Sequence, residues 1–299
     1  MKNPKIKKRH KWQGTEIFSV IVLTIIAILI VVPFWNAVVI SLETSAAFSR
    51  KPFSWLPGEF TLANYDYLLF QNSGAMITAY KATIGITVVG TFFGMLVSVM
   101  GAYAFSRKFP GKKFFFMAML FTMFFGGGLI PTYLLIKGMG LLDTYTILVL
   151  LGMISTYNII IMKNGFESTP MDLQEAAMID GANDLTVFAK IMLPLQKPLI
   201  ATFSLFTAVG YWNSWYWPML LLSSGDKTVL QLFLRSIVNA LTSQEGTKNM
   251  AASGQAFQNT FSQGVKMAAV FAVMLPIMVV YPFLQKYFVK GMLVGAVKM

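Results

Sequence analysis

Cysteine is absent from the 299 residues, so disulfide scaffolds, thiol catalysis and cysteine-ligated zinc are excluded. Histidine occurs once, at His10 in a lysine-rich stretch, which removes hydrolase triads and any histidine metal cage. Charge is scarce: Asp, Glu, Lys and Arg make up 12% of the chain, against roughly 25% in a soluble domain. No G-x-x-x-x-G-K-[ST] phosphate loop is present, because Gly111-Lys112-Lys113 lacks both the following hydroxyl and the upstream glycine. The chain therefore has no site at which to hydrolyse ATP alone. A G-x-S-x-G elbow is missing too, so intramembrane hydrolysis has neither nucleophile nor base.

What fills the chain instead is apolar: 56% of its residues are hydrophobic. Runs of about 20 apolar residues, enough to cross a hydrocarbon core of about 30 Å, fall near residues 17–40, 82–105, 114–136, 144–162, 199–222 and 267–285. The expected fold is all-α: a polytopic membrane protein with six transmembrane helices, residues 1–16 forming a basic tail and 17–299 the membrane domain. The first run is too long for a signal-peptide core and lacks a convincing cleavage site, so it reads as a retained span.

Lysine and arginine near span ends mark the cytoplasmic side. With the N-terminus inside, the basic tail, Arg107 to Lys113, Lys163 to Lys197 and Lys286 to Lys298 all face the cytoplasm. Both termini are then cytoplasmic. The net charge of +12 reports topology and attraction to anionic lipid, and specifies no nucleic acid partner. The six apolar cores contain no Asp, Glu, Lys, Arg or His. Proton-coupled and ion-coupled carriers place such groups inside the membrane, so that class is disfavoured.

Between spans lie two external segments, about 41–80 and 223–266, rich in polar residues and large enough to fold against a partner. The inner loop, about 163–198, carries Leu173, Ala176 and Ala177, then Val187, Phe188 and Ile191, at three-and-four spacing. Two short amphipathic helices are expected there. Pro170 opens the first, Gly181 breaks the pair, and Pro194 and Pro198 stop the second.

Within that loop, Glu175-Ala176-Ala177, three residues, Gly181, nine residues and Ile191-Met192-Leu193-Pro194 form one pattern. The small Ala176 and Ala177 let another protein approach, Glu175 offers a carboxylate, and Gly181 permits a sharp turn. A lipid-surface helix favours Lys and Arg on its polar face, whereas this one carries Asp172, Glu175, Asp180 and Asp184. The pattern resembles the cytoplasmic EAA loop of bacterial ABC-type import permeases. It covers 20 residues at the expected place between the fourth and fifth spans. Gly126 to Pro131, Tyr211 to Trp215 and the tail from Gln285 to Lys298 resemble the carbohydrate-uptake branch, in particular the six-span partner of the maltose type and the polysaccharide-oligomer permeases.

The resemblance implies a type I importer fold in the bacterial plasma membrane. It implies two ATPase subunits, a second and usually different permease, an extracytoplasmic solute-binding protein and an oligosaccharide substrate. No cofactor is implied in this chain, ATP and magnesium being bound by the partner ATPase. Glu175, Ala176, Ala177, Asp180, Gly181 and Ala182 are the implied ATPase-docking residues. Gly295, Val297 and Lys298 are implied either to insert between the ATPases or to form a plain cytoplasmic anchor. The same machinery carrying a non-sugar solute is the alternative.

The aromatic cluster Tyr211 to Trp217 is read from chemistry. Sugars stack their C–H faces on aromatic rings while a nearby amide bonds hydroxyls, which nominates Trp212, Asn213 and Tyr216 as pathway residues. An interfacial aromatic belt looks similar, and Trp217 fits it better. Gly126 to Gly128 with Pro131 mark either a hinge in the third span or its frayed outer end.

Overall fold

Residues 14–71, 74–240 and 262–296 are described by a computed structural model, and among them the regular structure is helical apart from one isolated bridge between Glu43 and Phe60. Three helices are long and apolar enough to span a membrane: α1 (Gly14–Ser41), α4 (Ala75–Ser106) and, through Pro282, α15 (Ser262–Ala296). The remaining three expected spans are bent pairs. Helices α5 (Lys112–Phe124) and α6 (Leu129–Gly138) meet at 111°, and α7 (Tyr145–Met153) and α8 (Thr156–Glu167) at 43°. The segment Asp184–Leu195 meets α12 (Lys197–Trp212) at 77°. Six spans result when each pair counts as one.

The structure corrects three straight spans read from hydropathy, the fourth being bent between α7 and α8. In the third, α5 ends at Phe124 and the three glycines carry the chain through the turn, Gly128 at φ +85° and ψ 174°, a region closed to side chains with a Cβ. The glycines therefore break the helix rather than fray its end. In the fifth, α12 stops at Trp212, residues 213–215 are non-helical, and α13 (Tyr216–Leu221) starts anew. Hydropathy sums apolar residues and registers no change of direction.

The chain divides into two units. In the first, Met1–Leu68 with Leu241–Phe271, α1 runs 28 residues with the large apolar side chains Leu23, Leu29 and Ile30 exposed. The segment after it is folded: α2 (Ser45–Arg50) is capped by Thr44 and followed by α3 (Ala63–Asp66). Buried Asn64 donates from Nδ2 to the carbonyls of Ser41 and Glu43 at 3.1 and 3.3 Å, and Trp35 Nε1 donates to Trp55 O at 2.8 Å. Burial pushes the Glu43 carboxyl above the usual range, against the opposing Gly58 N–H.

In the second unit, Leu69–Ala240 with Ala272–Met299, α4 is the central helix and packs on α7, α8 and α12. Small residues admit the close approach. Gly94 lies against the backbone of Met153, and Gly90 and Gly152 flank the Tyr211 ring. Two apolar cores follow along α4. One joins Met95, Val99 and Ala102 to Ile159, Phe166 and Val187, and the other joins Ile86 to Ile147, Tyr211, Leu221 and Val229.

Candidate functional site

The inner loop forms a helical hairpin. Helix α9 (Asp172–Ile179) follows Pro170, the chain reverses at Gly181 with φ +85°, and α10 (Asp184–Val187) begins under an Asn183 cap whose Oδ1 accepts from Thr186 N at 2.8 Å. The second arm does not stop at Pro194. It continues through a π-type turn at Phe188–Met192 into α11 (Leu193–Leu195), and the 77° break comes at Gln196. A wider turn ahead of the proline is one way a helix absorbs its missing N–H.

Burial sorts the faces of this hairpin. Val187 is buried in the inner core, Ala177, Ala182 and Phe188 pack beside it, and Gln174 is buried. Glu175, Ala176, Asp180 and Gly181 are exposed. So are Leu173, Met178, Ile179 and Leu185, with Ile179 86% and Leu185 75% exposed. Of the residues at three-and-four spacing, Leu173 and Ala176 face outward while Ala177 and Val187 pack inward. Ile179 and Leu185 carried a signal that pattern reading missed: large apolar residues flanking the glycine turn, off the packed stripe.

Polar contacts brace the hairpin and the membrane helices beside it. Arg107, just past α4, donates to Gln174 Oε1 on α9 and, at 3.2 Å, to Asp184 Oδ1 on α10. Its guanidinium also stacks over Tyr103, 4.9 Å from the ring centroid, and bonds that hydroxyl. Gln196 Nε2 donates to Gly165 O at 2.8 Å and Thr169 Oγ1 at 3.1 Å, joining α12 to the end of α8. Glu167 accepts from Lys163 at 2.6 Å and Lys112 at 3.3 Å. A cleft of about 360 Å³ lies among Arg107, Glu167, Thr169, Gln174 and Asp184.

At the far end of α12 the nominated aromatics divide. Trp212 is 7% exposed, so the expectation that its indole offers a stacking face is not met in this conformation. Its Nε1 donates to Val273 O at 3.3 Å, and the Tyr80 hydroxyl donates to Ala272 O. Pro276 accounts for the Tyr80 bond, having no N–H for the Ala272 carbonyl four residues earlier, and Val273 lies on the same turn of α15. Trp212 and Tyr80 thus fasten α12 and α4 to a proline-disrupted helix, beside an apolar cavity of about 280 Å³. Asn213 and Tyr216 are exposed, and Asn213 Oδ1 accepts from Gln231 Nε2 at 3.2 Å. Trp217 is half-buried against the outer core.

A second cleft, about 380 Å³, opens between α7–α8 and α12 and carries Ser155, Asn158, Thr207, Ser214, Phe206 and Trp217. Asn158 Nδ2 donates to Thr207 Oγ1 at 3.2 Å. These hydroxyl and amide residues escaped sequence reading because each sits singly in an apolar run. Of the tail residues, Gly295 lies in α15, while Val297 and Lys298 are outside the described residues. Among the described residues no group of three or more His, Cys, Asp and Glu could hold a metal ion.

Residues 113–294 match the family model of the binding-protein-dependent transport system inner membrane component. The polygalacturonan/rhamnogalacturonan transport system permease protein YtcP of Bacillus subtilis (strain 168) is 39% identical over 277 residues, 92% of this chain and 95% of the relative. Protein LplC of the same organism is 38% identical over 301 residues, covering 98% and 99%. A crystal structure of a bacterial ABC transporter involved in the import of the acidic polysaccharide alginate superposes with TM-score 0.83 at 31% identity, covering 94% of this chain and 100% of that one. With its helical hairpin braced to a multi-span bundle, this chain belongs to the family of binding-protein-dependent transport system inner membrane components.

Proposed function

We propose that this permease subunit forms half of a translocation pathway for oligosaccharides and takes its driving force from a separate ATPase. The observation that carries the reading is the outward face of the hairpin. Ile179 and Leu185 stand almost fully exposed beside Glu175 and Asp180, on an element whose own charge disfavours a lipid surface. In this reading Ile179, Leu185 and Ala176 seat in a cleft of the ATPase, with Gly181 forming the turn and Ala177 and Ala182 anchoring it. Motion of the docked hairpin passes through Arg107 to α4 and through Gln196 to α8 and α12, because these braces join it to each helix.

The remaining assembly follows the family: a second ATPase, a second and different permease, and an extracytoplasmic solute-binding protein. Both termini are cytoplasmic in this reading, and ATP and magnesium stay with the ATPase. Gly295, Val297 and Lys298 reach toward the ATPases. The sugar's path uses exposed Asn213 and Tyr216 with the cleft of Ser155, Asn158 and Thr207, while Trp212 supports them from behind. The similarity to permeases for pectic polysaccharides supports an oligosaccharide over another solute. Uptake of labelled oligosaccharide into vesicles tests this: it should stop on ATP depletion and persist when the proton gradient is collapsed. Undiminished uptake without ATP would overturn the reading.

A further inference from the structure

Helix α12 carries the coupling hairpin at one end and, 16 residues or about 24 Å away, the non-helical break at Asn213 to Trp215 at the other. At that break Trp215 is 43% exposed and Tyr216 41% exposed, their rings edge-on at 5.8 Å. The next long helix, α14 (Leu230–Ala240), places Gln231 and Arg235 one turn apart on one face. Gln231 bonds Asn213, and the Arg235 guanidinium lies 4.5 Å over the Trp215 ring. Two elements separated by the loop 222–229 thus converge on one exposed patch of an amide pair, two aromatic rings and a cation.

Arg235 has no carboxylate partner among the described residues, whereas Lys227, eight residues earlier, is paired with Asp143. A guanidinium lying over an indole spends none of its N–H donors on a carboxylate, so the fork stays available. Such a fork matches a carboxylate in bidentate fashion, while the exposed ring surface of Tyr216 and Trp215 suits the C–H face of a pyranose. The amide pair offers donors and acceptors to ring hydroxyls.

We propose that Arg235, Trp215, Tyr216, Asn213 and Gln231 form a subsite for a carboxylated sugar, a uronate residue, at the outer end of this subunit's pathway. The proposal rests on the oligosaccharide-import reading and narrows its substrate class to acidic sugars. Trp215, which sequence reading left unassigned within the aromatic cluster, becomes the platform that holds the arginine, and α14 becomes part of the pathway.

The test is calorimetric titration of the assembled permease–ATPase complex, without binding protein, in phosphatidylcholine nanodiscs. The two probes are trigalacturonate and its methyl ester, which keeps the sugar faces and removes the charges. The acid should bind at least about tenfold tighter than the ester, as a charge-assisted hydrogen-bonded pair implies. Arg235→Gln should bring the acid down to the ester, and Trp215→Ala should weaken both. Equal binding of acid and ester, failure of both to bind, or a preference retained by Arg235→Gln overturns the subsite. Arg235-dependent affinity for phosphatidylglycerol without a response to trigalacturonate overturns it as well and assigns the arginine to lipid. ATPase retention by the same wild-type preparation reports separately on the importer reading. Retention without sugar preference defeats the subsite alone.

Discussion

Arg107 reaches both arms of the inner hairpin at once, donating to Gln174 on α9 and to Asp184 on α10 while its guanidinium rests on Tyr103 of α4. One side chain thereby couples the hairpin to the central membrane helix. Replacing it with Ala removes the hydrogen bonds and the stacking together; replacing it with Lys keeps the charge and loses the fork. Arg107→Ala should leave the ATPase bound but lower sugar-stimulated ATP hydrolysis per complex at least several-fold, with Arg107→Lys nearly as impaired. Wild-type stimulation in both variants would show that force does not travel through this brace.

The Tyr211 ring fits between α4 and α7 only because Gly90 and Gly152 lack side chains: a Cβ on Gly152 would sit 2.7 Å from the tyrosine ring. Its hydroxyl donates to Val149 O at 2.8 Å. Gly152→Ala should cost on the order of 1–3 kcal/mol by overpacking. Tyr211→Phe, which loses one buried bond, should cost about 1 kcal/mol. Thermal unfolding of the purified subunit in detergent should rank them so. Combining Gly152→Ala with Tyr211→Ala should recover part of the glycine's loss, which a cost unrelated to the ring would not allow.

Trp212 and Asn213 are neighbours with opposite surroundings, and their variants should separate. Trp212→Ala removes a buried indole and its bond to the Val273 carbonyl, a loss of about 3–5 kcal/mol that lowers yield and unfolding temperature. Asn213→Ala alters an exposed amide and should leave stability unchanged while reducing sugar uptake per assembled complex. A normal unfolding temperature for Trp212→Ala would place the indole outside the packing described here.

Asp143 ties the α6–α7 connection to the loop after α13. It lies at φ 58°, and Ser224, Ser223 and Lys227 hold its carboxyl down to about 2. A depressed folded value stabilises above the ordinary 3.8 and loses its effect as pH falls toward 2. Amide hydrogen exchange at Ser223 and Ser224, corrected for intrinsic rates, should therefore lose protection between about pH 4 and pH 2. Asn tolerates the left-handed backbone, so Asp143→Asn should show the low-pH protection already at neutral pH. Protection unaffected by either change would mean the carboxylate does not hold this loop.

The hairpin was legible in the sequence because its signals are local. Pro170, the helical spacing and Gly181 lie within a dozen residues, and a left-handed turn at Gly181 is what that spacing demands. The bends were less legible: three consecutive glycines announced the 111° break after α5, whereas Asn213-Ser214 and Pro218 mark the stop of α12 at Trp212 only faintly within an apolar run. The surroundings of Trp212 are tertiary, since its indole bonds a carbonyl on α15, far away in sequence. For the same reason the aromatic cluster could be named but not sorted. Composition treats Trp212, Trp215 and Trp217 alike, whereas burial, a stacked arginine and the outer core give each a different surrounding.

The central claim is that the exposed face of residues 172–187 holds the ATPase. It is tested most directly by the amount of ATPase subunit that co-purifies with tagged permease carrying Glu175→Lys and Ile179→Glu. Both side chains are exposed and lie outside the membrane helices, so insertion and yield should match wild type. The account predicts that the retained ATPase falls by roughly tenfold or more, since a charge is reversed and an apolar anchor is lost at the centre of one interface. ATPase retained at the wild-type ratio by this double variant would contradict it.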